Sequence, residues 1–117
     1  MANTRVLLSG STNGREIPVA ATATPGTLIH TAHATALDAV YLWVSNVSNA
    51  PAMLTIEWGG VLSPSDHICR QTIIRHNSEP RPIVTGQVLT GSSQIVRAFS
   101  NVAGALNLGG FVTRITA

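Results

Sequence analysis

The sequence predicts an all-β domain: an antiparallel β-sandwich of jelly-roll type with about eight strands, preceded by an extended N-terminal arm. Three observations predict it. β-Branched and aromatic residues recur in short runs, several of them alternating with polar residues at period two. Turn signals built from Gly, Pro, Asn and Ser return about every ten residues, the spacing of a sandwich or barrel. No helical apolar period is sustained over several turns, and the best helical candidate, Ala32–Ala39, is short.

Residues 1–26 read as the arm and 27–117 as the sandwich domain. In the arm, Arg5–Leu8 is a short apolar run ended by Ser9-Gly10, and Ser11–Gly14 is a loop. Pro18 limits Glu16–Ala20 to an edge or extended segment, and Pro25-Gly26 closes a flexible small-residue stretch. Thr27–Thr31 is the first strand of the domain. The centre of the chain is Leu37–Gly60, read as a hairpin: a strand over Asp38–Val47, a turn at Ser48–Pro51, and a strand over Ala52–Trp58. It holds both Trp residues and the single Tyr. Val40, Leu42 and Val44 share one face of its first strand, with Tyr41, Trp43 and Ser45 on the other. Apolar residues on both faces mark that strand as central and covered on both sides. Its second strand alternates and reads as half-buried. Val61–Asp66 is a loop. Strands are expected over His67–His76, over Arg81–Thr90 with an interruption at Gly86, over Gln94–Asn101, and over Leu106–Thr116 with a bulge or close approach at Gly109-Gly110.

At 117 residues the chain can bury one core. Its composition is 44% hydrophobic and 10% charged, whereas a typical soluble domain carries about 25% charged residues. A surface so poor in charge suits a protein covered by neighbouring subunits, because interface cores are depleted in charge. All seven basic residues are Arg, which pairs better within interfaces than Lys. They are scattered singly, and the net charge is +2, so a nucleic-acid groove is not expected. The single Cys, Cys69, forms no intramolecular disulfide framework. No apolar run approaches a membrane span, and the first residues lack the apolar core of a signal peptide, so use or assembly in a cytoplasm is expected.

No catalytic centre is expected. His67 and Cys69 share a strand face, and His30, His33 and His76 could join them, but the spacings match no zinc pattern. One His per subunit at a threefold axis would be another route to three ligands. Ser, His and Asp occur without a Gly-x-Ser-x-Gly elbow. Asp38 and Glu57 could face each other only by register, and pairing with an Arg is the plainer role for both. Neither Gly59-Gly60 nor Gly109-Gly110 opens a helix, as a phosphate loop would require. Tyr41 and Trp43 could stack on sugars, but their apolar surroundings point to core or interface packing. No cofactor is expected.

The segments Gly26–Ala32, Leu37–Asn46 and Leu54–Gly60, with Val96–Asn101 and Gly110–Ile115 near the end, together resemble small virion proteins of tailed bacteriophages. The resemblance covers roughly residues 26–116 and rests on strand pattern. It implies a structural particle component. It is most like capsid decoration (cement) proteins, which are small, all-β, often homotrimeric, and clasp the capsid through an N-terminal arm; neck, tail and fibre proteins share the fold class. On this reading the partners are the major capsid protein and further copies of the chain, on the capsid surface, with no nucleic acid or membrane partner. The expected contact residues are Arg5, Leu7, Leu8, Arg15 and Ile17 in the arm, Tyr41 and Trp43 on the central strand, and Arg75 and Arg97 on neutral strands. A carbohydrate-binding adsorption module is the alternative from another class.

Overall fold

In the computed structural model, residues 2–23, 25–49, 51–60, 65–73, 81–91 and 93–116 are described. They form nine strands and no helix. These are β1 (Ala2–Leu7), β2 (Ile17–Pro18), β3 (Thr27–Thr31), β4 (Leu37–Asn46), β5 (Ala52–Gly59), β6 (His67–Ile73), β7 (Arg81–Leu89), β8 (Ile95–Ser100) and β9 (Leu106–Thr116). One antiparallel sheet has the order β1-β9-β4-β7, with β2 also paired to β9; the other has the order β3-β8-β5-β6. The pairs β1·β9, β3·β8, β4·β7 and β5·β6 are nested, like one long hairpin rolled up on itself.

Alternation decides what each strand buries. Val40, Leu42 and Val44 of β4 are almost fully buried, as are Leu54 and Ile56 of β5 and Val96 and Ala98 of β8. They meet in one core between the sheets. Each of the Val, Leu and Ile side chains among them contributes about 1.5–3 kcal/mol by leaving water. β4 is central, as expected, flanked by β9 and β7, but only its inner face is fully buried; Tyr41, Trp43 and Ser45 on the other face are half-buried. A bulge at Gly86, with φ of 96°, interrupts β7, and the Tyr41 ring lies against it.

Three expectations need correction. The Leu37–Gly60 unit is not a hairpin, because β4 and β5 belong to opposite sheets. Both edges of β4 are taken by β9 and β7, and both edges of β5 by β8 and β6. The polar segment after Asn46 therefore carries the chain across the core from one sheet to the other. Asn46 shapes its start by accepting the Ser48 amide and hydroxyl at 2.9 and 2.8 Å. β5 is also more than half-buried: Thr55 and Glu57, on the face away from the core, are 3% and 0% exposed.

The stretch expected as an arm is built into the domain. β1 pairs with β9 from Ala2↔Thr116 to Leu7↔Phe111. Leu8, Ile17 and Val19 enter the core. The turn between them docks through Gly10 N–H to the Ile29 carbonyl, and Val19 N–H donates to the Leu106 carbonyl. The Ala-rich patch is a loop leading into β4, closed by His33 Nδ1 accepting the amides of Thr35 and Ala36.

Candidate functional site

Two polar or aromatic assemblies stand out, one inside the fold and one on its surface. The inner one is centred on Asp38, at the start of β4 on the same face as Val40 and Leu42, and 0% exposed. A carboxylate there must be paired. Arg114 of β9 forks onto it, Nε donating to Oδ1 at 2.8 Å and Nη2 to Oδ2 at 3.0 Å. His30 of β3, in the opposite sheet, reaches Oδ2 through Nε2 at 2.8 Å, and the His33 amide donates to the same oxygen at 3.2 Å. His30 Nδ1 accepts the Ser9 amide at 3.1 Å, so the neutral ring carries its proton on Nε2 and donates to Asp38. Burial alone would raise the Asp38 carboxyl. The hydrogen bonds from Arg114 and His30, with the charge of Arg114, outweigh burial and hold the carboxyl at about 2. A His–Asp pair can orient a general base, but here the outer ring nitrogen is taken by a backbone amide and both side chains are enclosed. The arrangement pins the two sheets together.

The surface assembly lies on the outer face of the β1-β9-β4-β7 sheet. Tyr41 is paired directly with Phe111 across β4 and β9, and their rings stack with centroids 4.8 Å apart and 14° between planes. The Arg5 guanidinium covers Phe111, 4.8 Å from its centroid. Trp43 is tilted against Phe111 at 6.3 Å. Next along β9 is Gly109. A side chain there would run into the Glu16 carboxylate and the Trp43 indole nitrogen, so glycine leaves room for both. Around this strip Leu7, Leu37 and Val88 are 55%, 44% and 46% exposed. An open hollow of about 370 Å³ adjoins Glu16, lined also by Ser11, Thr12 and Arg15.

The expected contact residues divide among several places. Arg5, Leu7, Tyr41 and Trp43 share this one face. Arg15 lines the hollow. Leu8 and Ile17 are 2% and 6% exposed, so they serve the core and offer no contact surface. Arg97 sits on the outer face of the other sheet, opposite Leu28 and Glu57. Arg75 and the Cys69 side chain lie outside the described residues. Among the described residues no group of three or more His, Cys, Asp or Glu is arranged to hold a metal. The sequence alone does not mark Phe111 or Glu16; the register of β9 against β4 and β1 brings Phe111 to the strip, and the pairing of β2 with β9 brings Glu16 beside Gly109. The ring faces bear on what the strip can bind. Phe111 is covered by Tyr41 on one side and capped by Arg5. A sugar platform needs an open ring face, whereas rings stacked on one another suit a packed protein contact.

Comparison with protein-family models, with curated proteins and with solved structures gives no match.

Proposed function

We propose that this chain is a structural protein of a tailed-bacteriophage particle, of the decoration type, working on the outside of the capsid by covering surface. The observation that carries the reading is the outer face of the β1-β9-β4-β7 sheet. It has three exposed aliphatic residues around a stacked aromatic strip, in a chain with only 10% charged residues. Such a face is stable in water when another protein covers it, and a standard interface buries roughly 1,600 Å² in total. The resemblance of strand pattern to small phage virion proteins supports the assignment to a particle. The partners on this reading are the major capsid protein and further copies of the chain.

We further read the fold as a jelly roll. The nested strand pairs support this, because rolling four such pairs yields two four-stranded sheets in the observed order, with β2 as an addition at the β9 edge. Attachment through a free arm is not part of the proposal, since β1 and the segment after it are built into the sheet and core.

The test is to purify particles of the phage that encodes the chain and to locate the protein by mass spectrometry and electron microscopy. Decoration predicts many copies spread over the shell. Density confined to one vertex would move the assignment to the neck or tail, and absence from purified particles would remove the virion reading.

A further inference from the structure

We propose that the outer face of the β1-β9-β4-β7 sheet is covered by a second copy of this chain, related by a twofold axis passing between Phe111 and Gly109, with Arg5 of each copy paired to Glu16 of the other. The inference names the partner of the face described above and rests on that face being an interface.

The argument comes from the placement of charge. Along β9, Arg5 lies opposite Thr113, its guanidinium reaching back over Phe111, and the Glu16 carboxylate lies over Gly109. Phe111 and Gly109, which carry the two charged groups, are two residues apart, about 7 Å at the rise of an antiparallel strand. The face thus carries a cation over the aromatic stack and an anion at the Gly109 end of the strip, and both residues are exposed. A twofold rotation about the midpoint between the two charged groups lays aromatic edges on aromatic edges. It also brings each Arg5 to a Glu16 of the other copy. That is the self-complementary contact of an isologous dimer, in which residue i meets j and j meets i. A ring of three copies needs two different complementary surfaces on each copy, whereas here both charges share one flat face. Neither charged side chain is consumed by an ion pair within its own chain among the described residues. Leu7, Leu37 and Val88 extend the apolar area around the strip.

The full chain and three variants, Arg5→Glu, Glu16→Arg and the double charge swap, are to be compared by sedimentation over a range of concentration, with circular dichroism to verify folding. The wild type is expected to show the mass of two chains. Each single substitution places like charges together twice per dimer and should weaken association at least about tenfold. The double swap recreates both pairs with inverted sign and should return to within about threefold of wild type. A wild type that sediments as one chain or as three overturns the proposal, as does a double variant no better than the two singles combined. The two readings fail separately. A dimer governed by the charge swap but absent from purified particles keeps this inference and removes the virion assignment. Particles that carry the chain while the swap fails to restore association do the opposite.

Discussion

Substituting Asp38 by Asn tests the inner network with little change in shape. The carboxylate receives four hydrogen bonds, two from Arg114, one from His30 and one from the His33 amide. Asn retains one acceptor oxygen and turns the other position into a donor facing donors. Oδ1 accepts one of the four and Oδ2 three, so at least one bond is lost and the remainder lose the carboxylate's charge. Hydrogen bonds to charged groups are worth about 1.5–3 kcal/mol each, and breaking a buried pair costs about 3–5 kcal/mol. Arg114 is 24% exposed and regains some hydration, so the lower end applies, about 3 kcal/mol. In a domain of this size that lowers Tm by roughly 10 °C or more. The acid limb has a definite sign. The folded carboxyl titrates near 2, below its ordinary 3.8. Its stabilisation is therefore complete above the ordinary value and is lost as pH falls through the folded one. Urea unfolding between pH 5 and 2 should show wild-type stability falling across that window more steeply than the variant's, and the two should converge at the acid end. A variant within about 1 kcal/mol of wild type at pH 7, or one with an equal acid slope, would refute the claim that Asp38 is an ionised pin between the sheets.

Other expectations concern separate parts of the molecule. Deleting residues 1–20 removes β1, β2 and three core side chains, a loss of at least about 5 kcal/mol from a stability that is typically 5–15, so the truncated chain should fail to unfold cooperatively by circular dichroism. A cooperative transition at the wild-type Tm would show that the segment is dispensable. His30→Ala should cost about 2–3 kcal/mol, because it strands the Ser9 amide and removes one Asp38 partner. Combined with Asp38→Asn it should cost less than the sum, by a coupling of about 0.5–3 kcal/mol in urea unfolding. Val88→Lys changes an exposed residue of the outer face, so Tm should move by no more than about 0.5 kcal/mol equivalent while self-association measured by light scattering weakens.

Strand existence was legible because alternation is local. The inward Val96 and Ala98 and the outward Arg97 and Phe99 stand in the sequence as they stand in β8. Strand partnership was not legible, because alternation tells which side chains turn inward and not which sheet they belong to. Ser48–Pro51 has turn chemistry whether the chain reverses beside β4 or crosses over the core. The N-terminal segment hides its burial for a related reason. Pro18 and the glycines pointed to a loose arm, yet Leu8 and the pair Ile17 and Val19, two apart, were available as a signal of burial. The polar pin also left a trace: Asp38 has the same parity as Val40, Leu42 and Val44, so it had to face the core and needed a cation. Arg114 and His30 could be found only through register, since 76 and 8 residues respectively separate them from Asp38.

The two assemblies are mechanically linked through the same strands. β4 carries Asp38 on its inner face and Tyr41 and Trp43 on its outer face; β9 carries Arg114, and next to it the outer strip with Phe111 and Gly109. Pinning these strands to each other and to β3 fixes the register that sets Tyr41 opposite Phe111. The stack then needs no rearrangement to receive a partner, since Tyr41, Phe111 and Arg5 already restrain one another. Association loses affinity to the ordering of side chains, about 0.5–1.5 kcal/mol for each one immobilised, and a face ordered beforehand avoids that cost. Asp38→Asn therefore has a second consequence besides lost stability: even where the variant is fully folded, a slackened β4–β9 register should weaken association through a face that the substitution does not touch.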